Sequence, residues 1–179
     1  TGLIIDGGNV VKTSKGIIMF DKVFRENNHF SKIELINRLE NTFCSEIIFL
    51  PWDRIEYYGH ADGVVREIST GKVLMTNYHR FSKKYARQFE NILSSHFDVE
   101  VLDYDVEKPH RNNWCYINFL RVGDKIFLPQ LTPMRRVVNA YTVTGIFYSD
   151  VETFASVYYA VFGKYIRIDI TRIDFFDNG

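Results

Sequence analysis

A histidine and an aspartate stand one residue apart in the stretch Tyr58-Gly59-His60-Ala61-Asp62-Gly63, with glycines on both sides. An imidazole can carry a proton near neutral pH. A fixed carboxylate can hold a flat cation through two parallel hydrogen bonds, and a guanidinium has the matching fork. On an extended chain, residues two apart point to one face, so His60 and Asp62 are expected to project into one site. Glycine allows positive φ and close backbone approach, as a crowded junction requires. The same residue types make ordinary turns. For Asp6-Gly7-Gly8-Asn9, taken alone, turn chemistry is the better reading. For His60 with Asp62, flanked by apolar runs, the functional reading is preferred.

Other chemistries find little support. His29, His79, His96 and His110 fall in loop or helix-flanking contexts and read as solvent-facing. No Cys/His cluster has zinc spacing. Asp6-Gly7-Gly8-Asn9 is too short for a dinucleotide fingerprint and lacks the lysine of a phosphate loop. Cys44 and Cys115 read as reduced, half-buried thiols of a cytoplasmic protein.

With 22 basic and 22 acidic side chains the formal net charge is zero. No overall attraction to nucleic acid or to an anionic membrane follows, so neither is an expected partner. No apolar run nears the roughly 20 residues that span a bilayer. No signal peptide is visible, although a chain starting at Thr1 rather than Met says little on that point. The 179 residues suit one ordinary domain, and the 16% aromatic content reads as core packing.

These polar segments sit between repeated elements. The first unit opens with Leu3-Ile4-Ile5 and Asn9-Val10-Val11, and turns at Ser14-Lys15-Gly16 into 16–20. A helix is expected over 31–43, with Ser31 and Glu34 as a capping box and Ile33, Ile36, Leu39 and Phe43 on its apolar face. Glu46–Leu50 closes the unit as a strand. The second unit pairs 63–68 with 72–76. Its helix over 81–95 carries Phe81, Tyr85, Phe89 and Ile92 on one face, and it closes with 99–102. The third pairs 115–120 with 125–129 and holds an irregular stretch with a strand near Val143. A helix over 150–162 and a closing strand over 165–170 follow. Modules of roughly 50–60 residues, near 3–50, 63–103 and 115–170, signal a stacked or radial repeat. In a ring of them the strand ends face a shared centre.

At this point specific motifs emerge. Gly59-His60-Ala61-Asp62-Gly63-Val64-Val65-Arg66 resembles the Gly-His-x-Asp-(Gly/Glu)-x-x-Arg-Phe stretch of agmatine deiminases and bacterial peptidylarginine deiminases, with Glu67 in place of Phe. Asp6-Gly7-Gly8-Asn9 resembles that family's Glu-Gly-Gly-Asn, with Asp for Glu. Tyr116-Ile117-Asn118-Phe119 and Phe127-Leu128-Pro129-Gln130 resemble its later strand pair. These are penteins, guanidino-group-modifying proteins. The resemblance implies an α/β fold, a propeller of five ββαβ modules of which about three would be present here. It also implies a reaction, with a small guanidino compound or the arginine side chain of a peptide as substrate. A cysteine thiolate attacks the guanidinium carbon, ammonia leaves, and water cleaves the thiouronium adduct. By match His60 is the proton-transferring histidine. Asp62 binds the guanidinium, Asp6 stands near the histidine where the family has Glu, and Asn118 lines the pocket. No metal or organic cofactor is implied.

The family's upstream Trp-x-Arg-Asp-x-Gly-Pro segment and its downstream Gly-Gly-x-x-His-Cys-x-Thr segment, which holds the nucleophile, do not occur in these residues. Neither Cys44 nor Cys115 stands in by motif. A truncated, inactive fragment is therefore expected, and its exposed strand edges invite homo-oligomers. Two alternatives stay open. One is a non-catalytic binding or scaffold domain. The other is an amidinotransferase or dimethylarginine hydrolase. Trp52, Tyr57, Tyr58 and Trp114 are read as core or rim packing, and Arg135 and Arg136 as part of a solvated loop.

Overall fold

A computed structural model of the chain describes residues 2–56, 58–102, 104–106, 117–122, 125–130, 134–137, 164–168 and 173–176. Its contacts divide the chain into two units, Thr1–Val101 and Leu102–Gly179.

In the first unit the chain forms β1 (Val11–Lys12), β2 (Ile17–Phe20), α1 (Lys22–Glu26), α2 (Lys32–Phe43) and β3 (Ile47–Leu50). β1 and β2 are an antiparallel hairpin with Val11 opposite Ile18. The two helices cross over to β3, which runs parallel to β2 with Ile17 opposite Ile47. All four residues of β2 are buried, as a strand covered on both faces should be. Gly16 turns into β2 with φ 150°, and a Cβ there would meet the Glu46 carbonyl oxygen at 2.7 Å.

Ser31 caps α2, accepting from Glu34 N–H at 3.2 Å. The Glu34 carboxylate turns instead to Arg38, at 2.9 Å, so the expected capping box is one-sided. The apolar face also differs from the expected one. Leu35, Ile36, Leu39 and Phe43 fall within about 100° of one another at ~100° per residue, whereas Ile33 lies about 160° from Leu35. Leu35 and Leu39 are accordingly buried, and Ile33 is 75% exposed. They pack with Ile17, Met19, Val23 and Ile47.

The same unit contains β4 (Val65–Ser69), β5 (Lys72–Thr76), α3 (Lys83–Ser94) and all but the last residue of β6 (Asp98–Leu102), with sheet order β4-β5-β6. Gly71, at φ 74°, makes the hairpin turn. Ser82 caps α3, and a short 3₁₀ turn at Tyr78–Arg80 precedes it. Ala86, Phe89 and Leu93 are its buried residues. Phe89 meets Phe20 of β2 at 5.7 Å between ring centroids and Tyr78 edge-on at 5.1 Å. The two hairpins are also stitched together. The Glu67 carboxylate accepts from Ser14 N–H at 2.8 Å, from the Ser14 hydroxyl, and from Gly71 N–H at 3.0 Å.

The expected opening strand at Leu3–Ile5 is absent, for a visible reason. The Asn27 side chain does the pairing that a neighbouring strand would do. Its Oδ1 accepts from Ile4 N–H and its Nδ2 donates to the Ile4 carbonyl, both at 2.8 Å. Asn9 treats β2 in the same way, bonding Phe20 N–H at 2.7 Å and the Phe20 carbonyl at 3.1 Å. Both amides are buried.

In the second unit β7 (Tyr104–Val106) pairs antiparallel with β10 (Met134–Val137). β8 (Leu120–Val122), β9 (Lys125–Gln130), β11 (Lys164–Ile168) and β12 (Ile173–Phe176) form a sheet of order β12-β11-β9-β8. Of the strand expected over 115–120, residues 117–119 are not extended in a sheet and β8 takes up at Leu120, while residues 115 and 116 lie outside the described residues. Asn118 lies on the preceding turn, where a side chain that competes for backbone hydrogen bonds is at home. β11 runs antiparallel to β9, unlike the parallel β2 and β3, and pairs on its other edge with β12. The expected helix over 150–162, the strand near Val143 and Cys115 lie outside the described residues.

Candidate functional site

Two short 3₁₀ turns, Gly7–Asn9 and Ala61–Gly63, lie against each other and against β2 in the first unit. The Asn27 and Asn9 clamps fix residues 4 and 9, so the intervening Asp6 is held from both ends. His60 leads into the second turn with extended backbone, φ −99° and ψ 114°. Its Nε2 lies 2.9 Å from Asp6 Oδ2, across 54 residues of sequence.

Gly8 allows this pairing. A Cβ at Gly8 would lie closest to His60 Nδ1, 2.6 Å from Cγ and 2.8 Å from Cε1. The imidazole thus packs on bare backbone. Gly59 has φ 63°, and a Cβ there would sit 2.6 Å from Lys22 Cδ and 2.9 Å from Trp52 Nε1. The loop before it is held by the buried Glu56. The Glu56 carboxylate accepts from Tyr58 N–H at 2.8 Å and from Gly59 N–H, and its carbonyl accepts from Trp52 Nε1–H at 3.2 Å. Tyr58 is 57% exposed, with its ring 5.5 Å from that of His60.

A third charged residue, not singled out by the sequence reading, joins the pair. Lys22 opens α1 and is 5% exposed. Its Nζ donates to Asp6 Oδ2 at 2.8 Å and to the Tyr58 carbonyl at 2.5 Å, with Glu26 Oε1 at 3.5 Å. The detectable signal is its place two residues after a fully apolar strand, where a lysine has little solvent to reach. Burial alone would raise the Asp6 carboxyl. The Lys22 hydrogen bond, the charges of His60 and Lys22, and the Gly8 N–H together outweigh it and hold Asp6 below its ordinary value of 3.8.

Asp62 is placed differently from expectation. Gly63 N–H bonds the His60 carbonyl at 3.3 Å and Val64 N–H bonds the Ala61 carbonyl at 3.0 Å, closing a 3₁₀ turn over Ala61–Gly63. With about three residues per turn, positions 60 and 62 do not share a face by strand alternation. Asp62 is half-buried on that turn. His60 and Asp6 are brought together directly, while Asn118 belongs to the second unit. Tyr57 and Trp114 lie outside the described residues. Cys44 is exposed at the left-handed C-cap of α2, with φ 49°. Among the described residues, no three His, Cys, Asp or Glu side chains cluster as a metal site, and no helix is long and apolar enough to cross a membrane.

No family model matches the chain, and no curated protein matches it in sequence. Solved structures do. An agmatine deiminase from C. jejuni superposes with a TM-score of 0.60 and 17% identity, covering 74% of this chain and 44% of that one. The agmatine deiminase of Enterococcus faecalis gives 0.53 and 19%, covering 72% and 45%. A protein provisionally assigned as a peptidyl-arginine deiminase gives 0.58 and 13%, covering 74% and 46%. This chain therefore spans less than half the length of each. Its α/β fold, over 72–74% of its residues, is similar to that of the agmatine deiminases.

Proposed function

We propose that this chain is the histidine-bearing part of an enzyme that hydrolyses a guanidinium to a ureido group with release of ammonia. The observation that carries the reading is the 2.9 Å pairing of His60 with Asp6 on two glycine turns, within a deiminase-like fold. The substrate is agmatine, giving N-carbamoylputrescine, or a peptidyl arginine, giving citrulline. A cysteine thiolate attacks the guanidinium carbon, and His60 gives a proton to the departing ammonia. His60 then takes a proton from water as the oxygen adds to the thiouronium carbon, and the thiolate leaves. Asp6 orients the imidazole. Asp62 and Asn118 are assigned to hold the substrate, and the nucleophile to a cysteine outside residues 1–179. The arrangement of modules around a propeller centre belongs to the same proposal.

The two departures from the family pattern that favour a non-catalytic scaffold have structural explanations. Asp6, shorter than the family's Glu by one methylene, still reaches His60. Glu67, in place of Phe, ties Ser14 to Gly71. The test is ammonia release by the full-length protein from agmatine, free arginine and arginyl peptides. Activity on one of them supports the reading, and inactivity on all three removes it.

A further inference from the structure

Asp6 Oδ2 receives two donors, Lys22 Nζ at 2.8 Å and His60 Nε2 at 2.9 Å, while Oδ1 accepts from Gly8 N–H at 3.2 Å. A carboxylate so occupied accepts and does not donate, so the proton between Asp6 and His60 belongs to Nε2. Among the described residues, Nδ1 has no hydrogen-bond partner, and the His60 side chain is 36% exposed. We infer that Lys22 is a positioning residue for the proton carrier. Its ammonium fixes Asp6 as the acceptor of His60 Nε2–H, so that Nδ1 is the ring atom that exchanges a proton with substrate or water.

The surroundings support this role over a surface ion pair. Lys22 is buried, and its ammonium meets two carboxylates, Asp6 and Glu26, and the Tyr58 carbonyl. The last contact ties the lysine to the loop that delivers His60. Gly59 leaves room for the lysine stem, because a Cβ there would lie 2.6 Å from Lys22 Cδ. Lys22 thus links the acceptor and the loop carrying the donor. When Nδ1 takes a proton the imidazole becomes a cation, and its Nε2–H still faces an anionic oxygen. When Nδ1 gives that proton up, the ring returns to the same tautomer. The assignment to substrate chemistry rests on the proposed function, whereas the tautomer and the Lys22 effect do not.

The test is nuclear magnetic resonance on the 179-residue chain with labelled histidine and aspartate. The wild type is expected to show His60 as the Nε2–H tautomer. Lys22→Met is expected to raise the midpoint of the Asp6 carboxyl titration and to mix the tautomers, and Lys22→Arg to restore both signals. A wild-type Nδ1–H tautomer would overturn the inference even if Lys22→Met failed to fold. So would a folded Lys22→Met variant with an unmoved Asp6 midpoint. Spectra as expected, in a full-length enzyme inactive on every guanidinium tested, would support the Lys22 role and remove the proposed reaction.

Discussion

His60 and Asp6 are 54 residues apart in sequence, yet the imidazole Nε2 stands 2.9 Å from the carboxylate oxygen. Neither residue lies on a strand or a helix longer than one turn. Two buried asparagines fix the backbone around Asp6, and the Glu56 carboxylate fixes the loop entering His60. The pairing is therefore a property of loop clamps, and its weak points are single side chains.

Acid should weaken the first unit through Asp6. Its carboxyl sits below its ordinary value in the folded chain, so the folded state binds the proton less readily than the unfolded one. The contribution is complete above the ordinary carboxylate range and is lost as pH falls through the lowered folded value. Asp6→Asn should remove that part of the pH dependence. Urea unfolding between neutral and strongly acid pH should show wild type more stable at neutral pH, with the two proteins converging in acid. Parallel curves would contradict it.

Gly8→Ala should displace the imidazole while leaving the fold in place. The added methyl would enter the His60 ring, which can swing away at little cost to the core. The expected result is loss of the His60–Asp6 hydrogen bond in the histidine spectrum, with thermal unfolding little changed. Gly59→Ala should behave differently. Its φ of 63° and the neighbouring Lys22 and Trp52 make the change destabilising, by about 1–2 kcal/mol from the left-handed backbone alone.

Glu67→Ala should loosen the link between the hairpins. The change leaves Ser14 N–H and Gly71 N–H without this acceptor. Both are near solvent, so the expected loss is about 1 kcal/mol by denaturant unfolding. Glu67→Phe, which restores the residue of the resembling family, should cost a similar amount. A Phe variant as stable as wild type would show that the carboxylate stitch adds nothing.

Asn9→Ala should cost more, about 1–3 kcal/mol, because it leaves the buried Phe20 N–H and carbonyl unpaired by a side chain. The same measurement checks it, and a loss below about 0.5 kcal/mol, the range of an ordinary surface change, would contradict the clamp.

Much of the first unit was legible in the sequence because periodicity reports burial directly. Leu39 and Phe89 at helical spacing, the Ser31 cap and the Gly71 turn all lie where the pattern predicts. Ile33 was misplaced because it shares residue type, but not helix angle, with the true stripe. Leu3–Ile5 looked like a strand because an apolar run cannot show that an asparagine amide will take the place of a neighbour. In the site, the glycine-flanked segment marks His60, whereas Asp6 stands out only by its resemblance to the family's Glu-Gly-Gly-Asn, because on its own the segment reads as a turn. Lys22 has only a faint signal, its place just after an apolar strand, because a lysine at a helix start ordinarily faces solvent. Strand alternation does not relate Asp62 to His60, because Gly63 and Val64 close the segment into a 3₁₀ turn that the residue pattern alone does not reveal.

The most direct measurement is ammonia released from agmatine and arginyl substrates by the full-length protein beside its His60→Asn variant. Wild type should turn over at least one of them, and the variant should lose about 10²–10⁴-fold in rate, the share general acid–base catalysis supplies. A variant as active as wild type would contradict the assignment of His60.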